Sequence, residues 1–190
     1  MTGVYNPSAL MRAPARALAV AAAVVALALS VAPMHCGSDA PFSAGAPAPD
    51  LRFTDLEGHE VALSSFRGHV VVMNLWATWC APCLAELPSL DRLHRALSRD
   101  GLVVLAVSVD ERSTDVAGFT KARGLTLEVL RDPAGAVAAR ALHVDAYPAT
   151  FVIDAAGRLR ERYLGIADWD LPESLDHFRA LLSESTAPKR

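Results

Sequence analysis

A nearly unbroken apolar run, Val70 to Leu75, leads straight into Trp76-Ala77-Thr78-Trp79-Cys80-Ala81-Pro82-Cys83, and this junction constrains the rest of the chain. A run this short, rich in valine, is the pattern of a strand covered on both faces in a parallel sheet. After it Leu84, Leu87, Leu90, Leu93 and Leu97 recur every three or four residues, which gathers an apolar face on one helix. Strand followed by helix puts Cys80 at a helix N-terminus, where free N–H groups and the macrodipole favour a thiolate. Two thiols two residues apart also close a disulfide on themselves. Pro82 falls in the first turn, where no N–H is missed, whereas Pro88 falls inside the helix and predicts a kink.

Three cysteines are too few for a disulfide framework, and no second cysteine pair or nearby histidine completes the four ligands of a structural zinc. A haem attachment sequence needs histidine after the second cysteine, where Leu84 stands. The six histidines are scattered and read as surface or helix positions, so no metal and no cofactor are expected. Asp110-Glu111, after a strand, has the look of a metal-like acidic pair but reads rather as a loop or helix-capping pair. With a formal charge of −3 over 190 residues the chain offers no basic surface for nucleic acid. Half of its positions are apolar, enough for one substantial core.

Arg12 and Arg16 precede an Ala/Val/Leu run from Ala17 to Ala32, the positive start and apolar middle of a secretory signal. Residues 1–32 therefore read as a signal peptide or an N-terminal membrane anchor. Pro33 after Ser30-Val31-Ala32 disfavours cleavage, and the run barely reaches the ~20 residues that span a bilayer. Cys36 lacks the approach expected of a lipidated cysteine and reads as a free thiol. Residues 33–47, rich in Pro, Ala, Gly and Ser, read as a flexible linker. A domain is expected over residues 48–184, with a disordered tail at 185–190.

Within that domain, Leu51 to Thr54 and Glu60 to Leu63 read as a hairpin turning at Gly58, and Ser64 to Gly68 as a second turn. Leu102 to Val109 and Leu125 to Leu130 read as strands separated by a helix over Ser113 to Arg123, which implies parallel crossovers. Asp132 and Pro133 open a helix expected to reach about Leu142. Ala149 to Ile153 and Leu159 to Tyr163 form an antiparallel pair. Asp170-Leu171-Pro172-Glu173 resembles a capping box for a last helix marked by Leu171, Leu175, Phe178 and Leu182.

A buried strand, Trp-Cys-x-x-Cys at the head of a helix, and an isolated proline before a late strand together resemble the thioredoxin superfamily. Ala48-Pro49-Asp50, Asn74 to Cys83, Glu86-Leu87-Pro88 and Tyr147-Pro148-Ala149-Thr150-Phe151 resemble in particular its exported, often membrane-tethered TlpA/ResA-type thiol-disulfide oxidoreductases. The resemblance covers about residues 46 to 183. It implies an α/β, thioredoxin-like fold: a central mixed sheet flanked by helices, with an N-terminal hairpin and a central helix-strand insertion.

It also implies roles. Cys80 is the attacking thiol and Cys83 the resolving one. Pro148 is a cis-proline facing the disulfide, with the Tyr147 backbone turned toward substrate. Trp79, Tyr147 and Pro82 contact substrate, while Trp76 is read as core packing. Asn74 occupies the place of a proton-carrying aspartate in many cytosolic thioredoxins, and Glu86, one turn after Cys83, is the proton group in its stead. The implied partners are protein disulfides, among them apocytochrome c, and a membrane thiol-disulfide electron donor, in the periplasm or cell envelope of a bacterium. Two alternatives stay open. One is a peroxiredoxin-like peroxidase, although Ala77 stands where Thr or Ser is usual. The other is a redox-inactive binding module.

Overall fold

The computed structural model describes residues 42–112 and 114–186. The signal-like run, Cys36, Ser113 and residues 187–190 lie outside them. Among the described residues, seven strands form one mixed sheet in the order β2-β1-β5-β4-β3-β6-β7, with four helices. The strands are β1 Arg52–Thr54, β2 Glu60–Ala62, β3 Val70–Trp76, β4 Leu102–Ser108, β5 Glu128–Arg131, β6 Ala149–Ile153 and β7 Leu159–Leu164. The helices are α1 Ala81–Leu97, α2 Val116–Ala122, α3 Ala138–Ala141 and α4 Pro172–Thr186. Pairs β3/β4 and β4/β5 are parallel, and β3/β6 and β6/β7 antiparallel. The β1–β2 hairpin pairs in antiparallel register, and Gly58 takes a φ of 90° in its turn.

Every residue of β3 is buried, and the two-residue period of a strand divides them between two cores. Val70, Val72 and Trp76 face α1 and α4, where they meet Leu87, Leu90 and Phe178. Val71, Met73 and Leu75 face the other side, with Phe53, Phe151 and Ala138. Each fully buried leucine on α1 contributes about 2 kcal/mol of transfer free energy, which holds that helix to the sheet more firmly than its propensity would. The helix continues through Pro88 to Leu97, and Gly101, at φ 99°, ends the short 3₁₀ turn that follows.

Four expectations need correction. The helix expected from Ser113 begins at Val116, because the Asp115 carboxylate caps the N–H of Gly118 at 2.8 Å. The strand expected from Leu125 begins at Glu128, because the N–H groups of Thr126 and Leu127 bond to the Asp91 carboxylate and not to a neighbouring strand. The helix expected from Pro133 is broken into a 3₁₀ turn at Pro133–Gly135 and α3. Ala134 and Gly135 have φ of 59° and 64°, and Asp132 caps the N–H groups of Val137 and Ala138 instead. A Cβ on Gly135 would lie 2.7 Å from the Ala139 Cβ and 2.9 Å from the Tyr147 hydroxyl, so close packing here requires glycine. Finally, the Asp170 carboxylate pairs with Arg92, and Leu171 stands at the start of α4, 41 % exposed, and not on its buried face.

Residues 43–47, inside the expected linker, run along the start of β7. Gly45 N–H donates to the Leu159 carbonyl at 2.7 Å, and Leu159 N–H to that of Ala46 at 2.9 Å. These bonds cover part of an edge strand that would otherwise present open N–H and C=O groups. Among the described residues no helix is long and apolar enough to cross a membrane.

Candidate active site

The parallel β3/β4 pair ends at Trp76 and Ser108, and the loop from Ala77 to Trp79 crosses the top of the sheet into α1. Cys80 is the N-cap of α1, and its Sγ accepts a hydrogen bond from the Cys83 N–H at 3.3 Å. The two sulfurs are joined as a disulfide. Cys80 is 6 % exposed and Cys83 1 %, so Cys80 is the more accessible of the two. Once reduced, a Cys80 thiolate keeps that N–H donor and the positive end of the helix dipole, and both favour the ionised form.

β6 brings the opposing wall. Its register pairs Leu75 with Ala149, which sets Pro148 level with the end of β3, and the Tyr147–Pro148 bond is cis. Tyr147 meets Trp79 edge to face at 6.1 Å, and Trp79 is 68 % exposed, a large apolar surface beside the thiols. Pro82 is exposed in the first turn of α1. Trp76 is fully buried against Phe119, as expected of a core residue. The Pro148 carbonyl accepts from Gly165 N–H at 2.9 Å, so the segment after β7 supports this wall.

Glu86 is buried on α1, one turn beyond Cys83. Its Oε1 accepts from the Trp169 indole N–H at 2.6 Å and from the Ala167 N–H at 3.2 Å. Its Oε2 accepts from the Asn74 amide at 3.1 Å, and that amide also donates to the Thr150 hydroxyl at 2.9 Å. Burial pushes the Glu86 carboxyl above its ordinary range, and the three donors pull it partly back. A carboxyl so placed exchanges protons nearer neutrality than a surface glutamate does. Trp169 packs edge to face on Tyr163 at 5.1 Å; burial first and then Glu161 push the Tyr163 phenol up to about 12.

The structure thus brings Cys80, Cys83, Glu86, Trp79, Tyr147, Pro82 and Pro148 to one end of the sheet. Known proteins resemble the chain in sequence and in fold. The AhpC/TSA family pattern matches residues 44–162. The thiol-disulfide oxidoreductase ResA of Geobacillus kaustophilus is 39 % identical over 121 residues, 64 % of this chain and 69 % of that protein. The chain belongs to the AhpC/TSA family, among its ResA-like thiol-disulfide oxidoreductases. The thioredoxin-like protein YneN of Bacillus subtilis is 33 % identical over 124 residues, 64 % of this chain and 71 % of that one. A crystal structure from Chlorobium tepidum, described as a putative thiol:disulfide interchange protein DsbE, superposes with a TM-score of 0.65 at 26 % identity. It covers 77 % of this chain and 99 % of its own. This ResA-like chain is therefore an enzyme of thiol-disulfide exchange with a thioredoxin-like fold.

Two residues contribute to the site beyond the site residues expected from sequence: Trp169, and Asp110, whose sequence context reads as a loop or capping pair. Trp169, 83 positions from Glu86, gave no signal in sequence. Asp110 gave one, since it follows a parallel strand beside the cysteine strand, where ligands and loops gather. Its buried carboxylate accepts from the Thr78 N–H at 3.0 Å, the Thr78 hydroxyl at 2.6 Å and the Ser108 hydroxyl at 2.8 Å, which pins the loop leading to Cys80. Asp110→Ala is expected to cost about 3 kcal/mol, because it strands several buried donors at once. A urea midpoint unchanged from the parent protein would refute that anchoring role.

Proposed function

We propose that this ResA-like enzyme reduces protein disulfides outside the cytoplasm. The observation that carries the reading is the buried Glu86 carboxyl one turn beyond the Cys80–Cys83 pair, whose helix starts at the end of β3, level with the cis Tyr147–Pro148 bond. The Cys80 thiolate attacks a substrate disulfide, forming a Cys80–substrate mixed disulfide and expelling one substrate thiolate. Glu86 then takes the proton of Cys83, whose thiolate attacks the Cys80 sulfur. The enzyme disulfide closes, the second substrate thiolate leaves, and two electrons have passed to the substrate. Cys80, Cys83, Glu86 and Pro148 are the catalytic set, and Trp79, Tyr147 and Pro82 form the substrate wall.

Each turnover leaves the enzyme oxidised, so a thiol donor must reduce it again. In an exported protein that donor is a membrane thiol-disulfide carrier. Export is supported by the charged start and apolar run of residues 1–32, either a signal peptide or an anchor, which lie outside the described residues. It is also supported by a structural relative from Corynebacterium glutamicum described as a secreted thiol-disulfide isomerase. That relative is 28 % identical with a TM-score of 0.62, over 73 % of this chain and 85 % of its own. Apocytochrome c, which needs reduced cysteines before haem attachment, is the proposed substrate in a bacterial envelope. A deletion strain with normal c-type cytochromes would remove that substrate.

The peroxidase alternative draws no support from the site, since the Thr78 hydroxyl is committed to Asp110 and Ala77 has none to offer. The reading is tested by the reduction potential of the Cys80–Cys83 pair in glutathione buffers. A reductant is expected near the thioredoxin value of about −270 mV, and a value near that of DsbA, about −120 mV, would make the enzyme an oxidant.

A further inference from the structure

Asn74 lies on β3 behind the disulfide, and its buried Oδ1 has no hydrogen-bond partner among the described residues. Both hydrogens of its Nδ2 are spent, one on Glu86 Oε2 and one on the Thr150 hydroxyl. Asn74, Glu86 and Thr150 are each 1 % exposed, so water does not substitute freely for a missing partner. An unpaired buried carbonyl oxygen beside two satisfied donors is an expensive arrangement unless another state of the site uses it.

The protonated form of Glu86 is such a state. Oε1 already accepts from two N–H donors, Trp169 and Ala167, neither of which can accept, so a proton on the carboxyl belongs on Oε2. Oε2 faces the Asn74 amide. An O–H there would meet the N–H that now donates to it, two donors in contact. A half-turn of the carboxamide exchanges two groups of nearly equal size and brings Oδ1 to the same place. In that orientation Oδ1 accepts from the Glu86 O–H and also from the Thr150 hydroxyl, which is an acceptor in the first state and a donor in the second, while Nδ2 gives up both hydrogen bonds and takes the unpartnered place that Oδ1 leaves.

We propose that Asn74 is a positioning residue whose carboxamide turns with the proton on Glu86, presenting Nδ2 to the carboxylate and Oδ1 to the carboxylic acid. The carboxyl is thereby held in one place under Cys83 in both protonation states, and the Thr150 hydroxyl steadies the amide in each. This rests on Glu86 as the proton group of the reaction. The other titratable groups around Glu86 are Cys83 and Cys80 on α1, Tyr163 behind Trp169 on β7, and Asp168 in the loop before α4. Arg92 and Asp170 are paired with each other. Burial sets the upward direction of the Glu86 shift against its three hydrogen-bond donors, and no charged neighbour contributes.

The test follows the Asn74 side-chain amide and the Glu86 carboxyl carbon by NMR in the reduced full-length protein across a pH titration. With both hydrogens bonded, the amide resonances are expected downfield at high pH. They should move upfield as Glu86 takes its proton, with the same midpoint as the carboxyl carbon. In Glu86→Gln the side-chain N–H₂ at Oε2 demands the turned amide, so the upfield signature is expected at every pH. Asn74 resonances that stay fixed while Glu86 titrates, or that remain downfield in Glu86→Gln, would overturn the proposal. A Glu86 carboxyl that does not titrate at all would instead count against its acid-base role, and the Glu86→Gln spectrum would still judge the amide.

Discussion

Cys80→Ser is expected to bring insulin reduction down to the rate of dithiothreitol alone, while Cys83→Ser is expected to stall with substrate attached. The asymmetry follows from burial and the helix cap. Cys80 is the N-cap, with an N–H donor on its sulfur and the larger exposure of the two, so removing it removes the nucleophile. Cys83 is buried one turn deeper, and its loss leaves a nucleophile that forms the mixed disulfide but has nothing to resolve it. Non-reducing mass spectrometry should then find the Cys83→Ser protein joined to its substrate. Undiminished insulin reduction by Cys80→Ser would make the chain a binding module.

Glu86→Gln has the second large expected effect, in both stability and rate. Burial raises the Glu86 carboxyl in the folded protein, so the folded chain holds that proton where the unfolded chain has already released it. From the ordinary glutamate range up to the folded value, the native state binds more protons and stability falls as pH rises. Below that window the contribution is fully present, and above it the loss is complete. Each tenfold difference in proton affinity is worth about 1.4 kcal/mol. Glutamine has no proton to lose, so Glu86→Gln should flatten this part of the slope and narrow its stability deficit at alkaline pH. Urea titrations from about pH 4 to pH 9 measure it, and parallel slopes in the two proteins would contradict the buried-carboxyl account. The turnover rate should fall by about 100-fold, the usual scale for losing a positioned acid or base, together with the pH dependence that Glu86 imposes.

Asn74 and Asp110 show why equally polar residues act so differently here. Asn74 lies in β3 and Asp110 just after β4, and both are buried. Asp110 accepts only, and every acceptor it offers is matched by a fixed donor from Thr78 or Ser108, so it braces. Asn74 has one end that donates and one that accepts, with only the donating end in use, so it has a second orientation available.

Periodicity alone was enough for the core of the molecule. Val70 to Leu75 read as a nearly unbroken apolar strand, the leucine spacing on α1 read as a helix face, and the strand-to-helix junction placed Cys80 at a cap. These features are local, and a strand or helix repeat reports them directly. The family resemblance added Pro148 and Glu86, because motif spacing carries information that composition does not. The errors lay where a side chain took over a backbone donor. Asp91 reaches 35 positions along the chain to shorten β5, and Asp132 caps residues beyond the break it helps to make. The sequence by itself determined the reactive pair, its strand and its helix, since those depend on neighbours within a few turns. Only the tertiary structure decided the environment of Glu86: Trp169 and Ala167 from the loop before α4 and Asn74 from β3 converge on it, and desolvation is a property of that convergence.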